Sequence, residues 1–345
     1  MLNNSIVINI KNTLNKGLEK IGAVEECSLL NYPDYLNVGD HLIWLGEIYY
    51  LTTVLKTKIK YVASGIADFS EEVMEKQAGK APIILQGGGN LGDLWREHQE
   101  FREYIISKYR DRQIIIMPQS IYFENTSNLK KAADIFNSHP NLTVFVRENS
   151  SEKIAIKYFH NCQIIKTPDI AFQLLNMSCF ASNKTCEKSS ILYHCRTDKE
   201  LKEDFYTDFI FQLPNLVIED WISSEWKIWR SCKSILETSQ ADPQHFPAIF
   251  DSLYDPDVHR ISWIIMHKAI EQFRQHRLII TNRLHGHILC ILLRIPHIFL
   301  ANSYHKNESF YETWTYQVSF CRFVKDSAQI KMAVQELLEM SSNKV

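Results

Sequence analysis

The sequence predicts an α/β protein made of two domains, each a parallel sheet covered by helices, with a cleft between them. Three observations support this fold class. The chain has 345 residues, a length typical of about two domains. Short apolar runs of strand length alternate with helical patterns along most of it. The alternation is interrupted once, where residues 172–190 become rich in Ser, Asn and Lys.

The first alternating series predicts an N-terminal domain over residues 1–175. Its apolar runs, each short enough for a buried parallel strand, are residues 27–30, 59–63, 82–85, 113–117, 143–146 and 163–165. The helical patterns between them are residues 41–55, 94–109, 128–137 and 151–159.

The second series predicts a C-terminal domain over residues 185–325, joined to the first by a linker at 172–190. Its predicted strands are residues 190–194, 216–218, 278–281, 297–300 and 321–324. Its predicted helices are residues 261–273 and 284–293, and a last helix at 330–340 falls in a C-terminal segment, 326–345.

Composition and charge exclude several classes of protein. With 45% hydrophobic and 23% charged residues, the chain has the composition of an ordinary globular protein. The net charge of −2 provides no overall field that would recruit nucleic acid, so we expect no nucleic-acid partner. Any specificity for anions must come from local sites.

The N-terminal segment lacks the basic start and continuous apolar run of a signal peptide, and no window of the chain is apolar enough to span a bilayer. Apolar side chains recur there at helical spacing, at Val7, Ile10, Leu14, Leu18 and Ile21. The resulting helix either packs on the protein body or lies on a membrane surface, aided by Lys11, Lys16 and Lys20. We expect a cytoplasmic protein, with a peripheral position at the inner face of the membrane as the second interpretation.

The cysteine pattern favours a reducing compartment. The eight cysteines are Cys27, Cys162, Cys179, Cys186, Cys195, Cys232, Cys290 and Cys321. None form a C-x-x-C pair and most sit in apolar runs, so we expect small buried side chains rather than disulfides or a zinc site. The sequence shows no metal-ligand cluster, and we expect no metal.

A glycine-rich stretch, "ILQGGGNLGDLW" at residues 84–95, contains a formal G-x-G-x-x-G at Gly87, Gly89 and Gly92. A dinucleotide site would also need an acidic residue at the end of the next strand, but residues 114–120 contain none. Two interpretations remain. The glycines form a tight turn before a helix starting near Asp93, or their backbone lines one wall of the cleft.

The segment "RLIITNRLHGHILCILL" at residues 277–293 carries the clearest charge chemistry. A strand ends at Thr281 and a helix is predicted to start near Leu284, capped by Asn282. Arg283 and His285 then lie at a helix N-terminus, where the helix dipole favours an anion. Alternatively, both side chains only solvate the helix start. His287 points elsewhere and is expected to be structural.

A second arginine, Arg196, follows the predicted strand 190–194, and ligands of α/β proteins bind at such carboxyl ends of strands. Two arginines from two strand ends can hold a small dianion. The alternative for Arg196 is a surface ion pair with Asp198 or Glu200.

Six ordered motifs give a resemblance to a known family. They are "NYPDYLNVGDHLIWLG", "LQGGGNLGDLW", "IIMPQSIYF", "VFVRENSSEKIA", "TPDIAF" and "IITNRLHGHILCILLRIPHIFL". In this order they resemble the polysaccharide pyruvyl transferase family, over roughly residues 30–314. The resemblance implies two Rossmann-like domains facing across a cleft, as in GT-B glycosyltransferases. It also implies phosphoenolpyruvate as a co-substrate, no cofactor, and a sugar diol as the acceptor that becomes a pyruvate ketal.

The resemblance also implies roles for single residues. The family's donor-binding arginines and histidine correspond to Arg196, Arg283 and His285, with Leu284 between the last two. His285 would protonate the methylene carbon or the departing phosphate. Asp40, in "NVGDHL", is the candidate base for the acceptor hydroxyl, with a helix N-cap as its alternative role.

Further residues are assigned to the substrate or to the hinge. The expected substrate contacts in the glycine-rich stretch are Gly88, Gly89, Asn90 and Asp93. Arg147 and Asp169 are expected to pair near the hinge between domains. Tyr311 and Trp314 either stack on a sugar or pack in the core.

Two other functions stay open at this point. One is a nucleotide-sugar glycosyltransferase of GT-B fold, and the other is a non-catalytic protein of exopolysaccharide assembly. The acceptor would be a sugar of an exopolysaccharide or of its lipid-linked precursor. The sequence leaves the oligomeric state open.

Overall fold

Two parallel sheets flanked by helices form the structure, a computed structural model that describes residues 2–181, 189–194, 196, 200–201, 208–221 and 246–342. Parallel sheets covered by helices confirm the predicted α/β class. The strands at residues 83–85, 142–146 and 297–300 are buried on both faces, as is typical of inner parallel strands, whereas those at 163–166 and 216–219 are only partly buried.

The first sheet contains seven strands, all paired in parallel. They are β1 (Glu26–Leu30), β2 (Lys58–Ala63), β3 (Ile83–Leu85), β4 (Gly88–Gly92), β5 (Ile114–Tyr122), β6 (Leu142–Val146) and β7 (Gln163–Lys166). Their order is β2-β1-β3-β5-β6-β7, and β4 pairs with β5 beyond the end of β3.

The second sheet contains five parallel strands among the described residues. They are β8 (Ser190–His194), β9 (Leu216–Glu219), β10 (His276–Thr281), β11 (His297–Leu300) and β12 (Cys321–Val324). Their order is β12-β11-β10-β8-β9.

Both sheets have the same kind of switch point. The strand order reverses between β1 and β3 in the first sheet and between β8 and β10 in the second. Ligands of open α/β sheets bind outside the carboxyl ends of strands at such a point. The topology therefore marks the loops after these four strands as the place for a site.

The helices cover both sheets. Those of the first half are α1 (Leu2–Leu18), α2 (Val38–Tyr49), α3 (Glu71–Ala78), α4 (Arg96–Lys108), α5 (Thr126–Ser138), α6 (Asn149–Tyr158) and α7 (Ser178–Ala181). Those of the second are α8 (Asp208–Phe211), α9 (Pro256–Arg274), α10 (Leu284–Leu293), α11 (Lys306–Phe310) and α12 (Ile330–Ser342). Single 3₁₀ or π turns add Glu19–Ile21, Tyr50–Val54, Ile170–Asn176, Ala248–Ser252, Tyr311–Thr315 and Ser327–Gln329.

The glycine-rich stretch differs from the predicted turn and helix start. Gly88–Gly92 forms β4, and the next helix begins only at Arg96. Gly88 and Gly92 have φ of +134° and +143°, a region that glycine tolerates and other residues avoid. The sequence pattern missed this strand because glycines are depleted in strands generally.

The predicted linker is also wrong over its first part. Residues Ile170–Asn176 form a 3₁₀ helix, and Phe172 and Leu174 are fully buried in it. A Cβ on Gly46 of α2 would lie 2.5 Å from the Ile170 carbonyl oxygen, so α2 packs directly on this segment. The apolar residues of this 3₁₀ helix pack in the core, although the residues that follow it in the sequence are polar. Residues 182–188 of the predicted linker lie outside the described residues.

One apolar core cluster spans both halves of the chain. It contains Leu42 and Trp44 of α2 together with Ile264 of α9 and Leu289 of α10. The Trp44 ring stacks on His259 at an interplanar angle of 12° and donates a hydrogen bond to its Nδ1. Two further clusters cover the outer faces of the two sheets. The boundaries at 175 and 185 stay predictions.

Helix α1 packs on the body, as one of the two interpretations expected. Its apolar side chains enter the core cluster that spans both halves, and the Lys11 ammonium donates to the Gln173 carbonyl at 3.0 Å. The face that would contact a membrane is therefore covered. Among the described helices, none combines the length and apolar character that crossing a bilayer requires.

The described cysteines carry free thiols. Cys27, Cys290 and Cys321 are buried, as expected, and Cys162 and Cys179 are half-buried. The remaining three, Cys186, Cys195 and Cys232, lie outside the described residues.

Gly92→Ala tests the placement of β4. A Cβ at this residue would lie 1.7 Å from the Tyr122 carbonyl oxygen, and its positive φ adds backbone strain. We expect a loss of at least about 2 kcal/mol in the free energy of unfolding, measured by urea denaturation. The control is Gly65→Ala, where a Cβ meets nothing within 4 Å. Equal stability of the two variants would contradict the description of β4.

Candidate functional site

A cavity of about 390 Å³ lies where the loops that follow the two switch points meet. Residues that follow strands of both sheets line it. The predicted arrangement of two domains facing across a cleft stays a prediction. Of the predicted site residues, the cavity brings together Asp40, Gly89, Asn90, Arg196, Arg283, Leu284 and His285. The topology alone positions most of them, because they follow β1, β3, β8 and β10.

Helix α10 begins as predicted at Leu284, but Asn282 does not cap it. Arg283 is the N-cap residue, in an extended conformation, and its side chain makes no cap hydrogen bond. The Asn282 amide oxygen instead accepts from the Arg196 backbone N–H at 3.1 Å. This bond ties the loop after β8 to the loop after β10. The α10 N-terminus therefore faces the cavity without a side-chain cap.

Arg283 forms a bidentate ion pair with Asp220, the residue that follows β9. The distances are 2.5 Å from Nε to Oδ1 and 2.6 Å from Nη2 to Oδ2. Burial raises the pKa of the Asp220 carboxyl, but the Arg283 guanidinium outweighs it and holds that pKa below its usual range. Sequence reasoning missed Asp220, since a lone acid after a strand carries no distinctive pattern.

His285 lies beside a buried carboxylate that the sequence did not assign to it. Its Nε2 is 3.4 Å from Asp169 Oδ2. Asp169 is fully buried, forms the expected pair with Arg147 at 2.6 Å, and accepts from the Ala171 N–H at 2.9 Å. Burial raises the pKa of Asp169, but the nearby His285 and Arg147 charges hold it well below its usual range.

The other side of the His285 ring contacts α2. A Cβ on Gly39 would lie 2.2 Å from His285 Nδ1, so the glycine makes room for the ring. The imidazole is thereby held between Gly39 of the first half and Asp169, with its side chain 11% exposed.

Arg196 forms an ion pair with one of its two predicted partners, and its role in binding a dianion stays a prediction. Its Nη2 lies 3.1 Å from Glu200, one of the two predicted partners, yet the pair is buried and lines the cavity rather than the surface. Asp198 lies outside the described residues. Glu200 also contacts the Lys306 ammonium. Burial raises the pKa of Glu200, but Lys306 and Arg196 lower it to about 2.

Asp40 lines the cavity but does not cap α2. The cap is Asn37, whose side chain accepts from the Gly39 N–H at 3.2 Å. Asp40 Oδ2 accepts from the Tyr35 hydroxyl at 3.0 Å and from the Asn37 amide at 2.8 Å. Its alternative role as a helix cap is therefore wrong, and its role as a base stays a prediction.

Only part of the glycine-rich stretch lines the cavity. Gly89 and Asn90 line the cavity, whereas Gly88 lies behind it, where a Cβ would be 3.5 Å from Asp40 Oδ1. The structure places Asp93 elsewhere: its carboxylate accepts from the backbone N–H groups of Glu124 and Asn125, each at 2.8 Å. Asp93 thus fixes the turn before α5, which explains its acidic side chain without a substrate.

Aromatic side chains form much of the remaining wall. Tyr35, Trp95, His98 and Trp221 line the cavity. Tyr35 and Trp95 fall within the quoted motifs but were given no role, and His98 and Trp221 lie outside those motifs. The two predicted sugar-stacking residues do not line it. Trp314 donates to the Arg147 carbonyl at 2.7 Å, and Tyr311 stacks on Phe323 in the core.

Three potential metal ligands, His287, His297 and Cys321, converge away from the cavity, with their ligand atoms within 4.8 Å. The sequence missed this group because its members lie on three different elements. Hydrogen bonds account for the ring nitrogens without an ion. With the tautomers that satisfy all groups, His297 Nδ1 donates to the Ile295 carbonyl, His287 Nδ1 to His297 Nε2, and Thr315 to His287 Nε2. Burial lowers the pKa of His297 to about 4.

Comparison with known proteins identifies the family. The model of the polysaccharide pyruvyl transferase family matches residues 37–304, from the cap of α2 to the loop before α11. This match covers most of the chain and includes the loops after β3, β8 and β10, but it begins only at the end of the loop after β1. The chain belongs to the polysaccharide pyruvyl transferase family. Family membership supports pyruvyl transfer to a polysaccharide.

Two curated relatives extend over most of the chain. It is 30% identical to the Bacillus subtilis (strain 168) protein named "Putative pyruvyl transferase EpsO", over 94% of this chain and 96% of that one. It is 28% identical to Pyruvyl transferase 1 of Schizosaccharomyces pombe, over 84% of this chain and 70% of that one.

A solved structure shows the same fold. It is a functionally uncharacterized protein from Klebsiella pneumoniae, which superposes with a TM-score of 0.57 over 92% of this chain and 99% of that one. The sequence identity is 21%, so this likeness concerns the fold alone.

Proposed function

We propose that this protein transfers the pyruvyl group of phosphoenolpyruvate to two hydroxyls of a sugar and so forms a pyruvate ketal. The observation that carries the proposal is the set of cations around one cavity. Arg147, Arg196, Arg283 and Lys306 all line it, together with the N-terminus of α10. Phosphoenolpyruvate is small and carries two anionic groups, which guanidinium groups and a helix N-terminus bind well.

Proton transfer by His285 starts the proposed reaction. The imidazolium gives its proton to the methylene carbon of phosphoenolpyruvate, which leaves positive charge at C2. A sugar hydroxyl adds there and gives up its proton. Phosphate then leaves, and the second hydroxyl adds at C2 and gives its proton to the His285 imidazole, which closes the ketal and restores the acid, so one diol and one donor give one ketal and one phosphate. The cavity's cations stabilise charge on the leaving phosphate.

Asp169 supports this role of His285. The carboxylate, 3.4 Å from Nε2, fixes the orientation of the ring, as a general acid requires. Arg147 on the other side of Asp169 keeps the carboxylate ionised, because its charge opposes the effect of burial.

The acceptor enters from the side of the first sheet in this proposal. Asp40 Oδ1 is the candidate to accept a hydroxyl proton, since Oδ2 already accepts two hydrogen bonds. Tyr35, Trp95 and Trp221 offer apolar faces suited to a sugar ring. The same arrangement, with each sheet facing the cavity through its strand ends, supports two Rossmann-like domains in a GT-B-like relation. The acceptor would be a sugar of an exopolysaccharide or its lipid-linked precursor.

Ligand-dependent melting tests the donor. We expect phosphoenolpyruvate to raise the melting temperature in proportion to the logarithm of its concentration, because it binds only the folded state. Arg283→Gln should abolish the rise. The matched control is Arg260→Gln, an arginine that pairs with Asp251 and Asp257 on the surface. A rise with nucleotide sugars and none with phosphoenolpyruvate would favour a glycosyltransferase and contradict the proposal.

A further inference from the structure

Arg102 of α4 is a fully buried arginine that lies behind the cavity wall rather than in the cavity. Its Nη2 donates to Asn90 Oδ1 at 2.7 Å, and its Nη1 lies 3.4 Å from the Asn90 carbonyl oxygen. Nη1 also donates to Gln99 Oε1 at 2.9 Å. Burial of a charged group is costly unless hydrogen bonds compensate it, so the contact with Asn90 helps to hold the guanidinium in place.

The Asn90 amide has its orientation fixed by two donors. Its Oδ1 accepts from Arg102 Nη2 and, at 3.3 Å, from Gln119 Nε2. Burial lowers the pKa of Arg102 only to about 10, so the guanidinium stays charged at neutral pH and can only donate. If the amide were turned over, Nδ2 would face these donors instead of an acceptor. Oδ1 is therefore held on the protein side, and Nδ2 points to the other side.

That other side is the cavity, which Asn90 lines. Among the residues that the structure describes, none accepts a hydrogen bond from Asn90 Nδ2, whereas Oδ1 accepts two. The amide therefore presents N–H donors to a ligand.

The Asp40 carboxylate lies beside the same strand. A Cβ on Gly88, two residues before Asn90 in β4, would lie 3.5 Å from Asp40 Oδ1. Gln86 links the two residues, since its side chain donates to the Asp40 carbonyl at 2.8 Å and its own carbonyl accepts from the Gln119 amide at 2.9 Å. The wall thus presents an acceptor, Asp40 Oδ1, and a donor, Asn90 Nδ2, on adjoining segments. A hydroxyl is the group that can use both, because it has one proton and two lone pairs.

We propose that Asn90 binds the acceptor hydroxyl whose proton Asp40 takes, and that Arg102 is the positioning residue that keeps the Asn90 amide turned for this contact. The inference rests on the proposed function, in which the acceptor lies on the side of the first sheet. Nδ2 donates to one lone pair of the hydroxyl oxygen and the proton faces Asp40 Oδ1, which leaves the second lone pair to add at C2 of the donor. An ether oxygen would not satisfy this pair, because it has no proton for Asp40.

Two substitutions of Asn90 in the full chain test which end of the amide faces the acceptor. Asn90→Asp keeps the shape of the side chain and an oxygen beside Arg102, but places a second oxygen where Nδ2 was, whereas Asn90→Ala removes both groups. We expect each variant to lower kcat/KM for the acceptor by about tenfold or more, as loss of a hydrogen bond does. Asn90→Asp should be the less active of the two, because its carboxylate cannot donate and repels Asp40.

The measurement is phosphate release at saturating phosphoenolpyruvate while the concentration of a mixed pool of exopolysaccharide and lipid-linked oligosaccharides is varied. Urea denaturation checks folding, and Asn90→Asp should keep its stability because it gives the buried Arg102 a counter-charge. If Asn90→Asp retains more activity than Asn90→Ala, the amide oxygen rather than the nitrogen faces the hydroxyl, and the inference is overturned.

Arg102→Lys tests the positioning role. It keeps the charge but loses the guanidinium fork that reaches Asn90. We expect kcat/KM for the acceptor to fall about 3- to 10-fold, phosphoenolpyruvate affinity by calorimetry to stay nearly unchanged, and no further loss in the Asn90→Ala background. Additive effects of the two substitutions would show that Arg102 does not act through Asn90.

The matched control is Arg112→Lys. Arg112 is also buried, but it pairs with Glu75 and lies 4.8 Å from the centre of the Tyr109 ring, away from the cavity. This variant should leave kcat/KM for the acceptor unchanged, and an equal loss in both lysine variants would reduce the role of Arg102 to stability.

The outcomes distinguish this inference from the proposed function. If the wild-type protein forms ketals and the Asn90 variants form them equally well, the inference is wrong and the proposed function stands. If the Asn90 variants weaken phosphoenolpyruvate binding rather than use of the acceptor, Asn90 faces the donor and the inference is also wrong. If the wild-type protein releases no phosphate with the pool, both the proposed function and the inference fail.

Discussion

Replacing His285 with asparagine is expected to lower the kcat of ketal formation by about 10²- to 10⁴-fold, the usual contribution of a positioned general acid. Phosphoenolpyruvate binding should change little, because the arginines and the α10 N-terminus remain. The measurement is phosphate release at saturating phosphoenolpyruvate. Folding is checked by circular dichroism, since the asparagine still fits between Gly39 and Asp169.

Asp169→Asn tests whether Asp169 acts on the reaction only through His285. If Asp169 acts only through His285, then Asp169→Asn should lower kcat in the wild-type background and have no further effect in the His285→Asn background, as residues acting as a unit do. A kcat of His285→Asn within about threefold of the wild type would remove the histidine from the mechanism. Additive effects of the two variants would show that Asp169 acts on its own.

Arg147→Met is expected to have the largest effect on stability. The Arg147–Asp169 pair is buried, with each side chain 1% exposed. Removal of one partner leaves a buried carboxylate without its counter-charge, which typically destabilises by about 3–5 kcal/mol. Urea denaturation of the variant at neutral pH measures this loss. The control is Arg96→Met, whose ion pair with Glu100 is exposed and should contribute less than about 1 kcal/mol.

The effect of Arg147→Met should depend on pH. The folded state holds the pKa of Asp169 below its unfolded value, so this carboxyl stabilises the fold above about pH 4 and that contribution is lost as the pH falls. The difference between wild type and variant should therefore be largest at neutral pH and shrink below about pH 4. A difference that does not vary with pH would show that the loss comes from packing rather than charge.

The sequence predicted the strands and the switch-point loops because their signals are local. Apolar runs placed β1, β8 and β10 within a residue or two, and the residues at their carboxyl ends then fell at the cavity. Arg196, Arg283 and His285 were found in this way. The signal that located them is position after a buried strand, which needs no knowledge of long-range contacts.

The counter-ions of these groups were not predictable from local pattern. Asp220 reaches Arg283 across 63 residues, and Lys306 reaches Glu200 across 106. Asp169 was paired with Arg147 in the prediction, but its contact with His285 depends on how the two halves of the chain meet. Such contacts depend on how α2, α9 and α10 pack together, and no local pattern in the sequence reveals that packing.

Glycine proved ambiguous for a related reason. Gly92 requires its positive φ, whereas Gly39 and Gly89 leave room for His285 and for two cations. A glycine in a sequence does not reveal which of these roles it has. The formal G-x-G-x-x-G therefore described a strand edge and a cavity wall rather than a nucleotide loop.

Transfer of a labelled pyruvyl group from phosphoenolpyruvate to a sugar is the direct test of ketal formation by this protein. The full chain would be incubated with phosphoenolpyruvate carrying ¹³C in all three carbons and a pool of exopolysaccharide and lipid-linked oligosaccharides, and the products analysed by mass spectrometry. We expect acceptors that gain one labelled pyruvate less one water, one phosphate released per ketal, and neither product with His285→Asn. Unlabelled acceptors that gain a sugar when nucleotide sugars are supplied would contradict it.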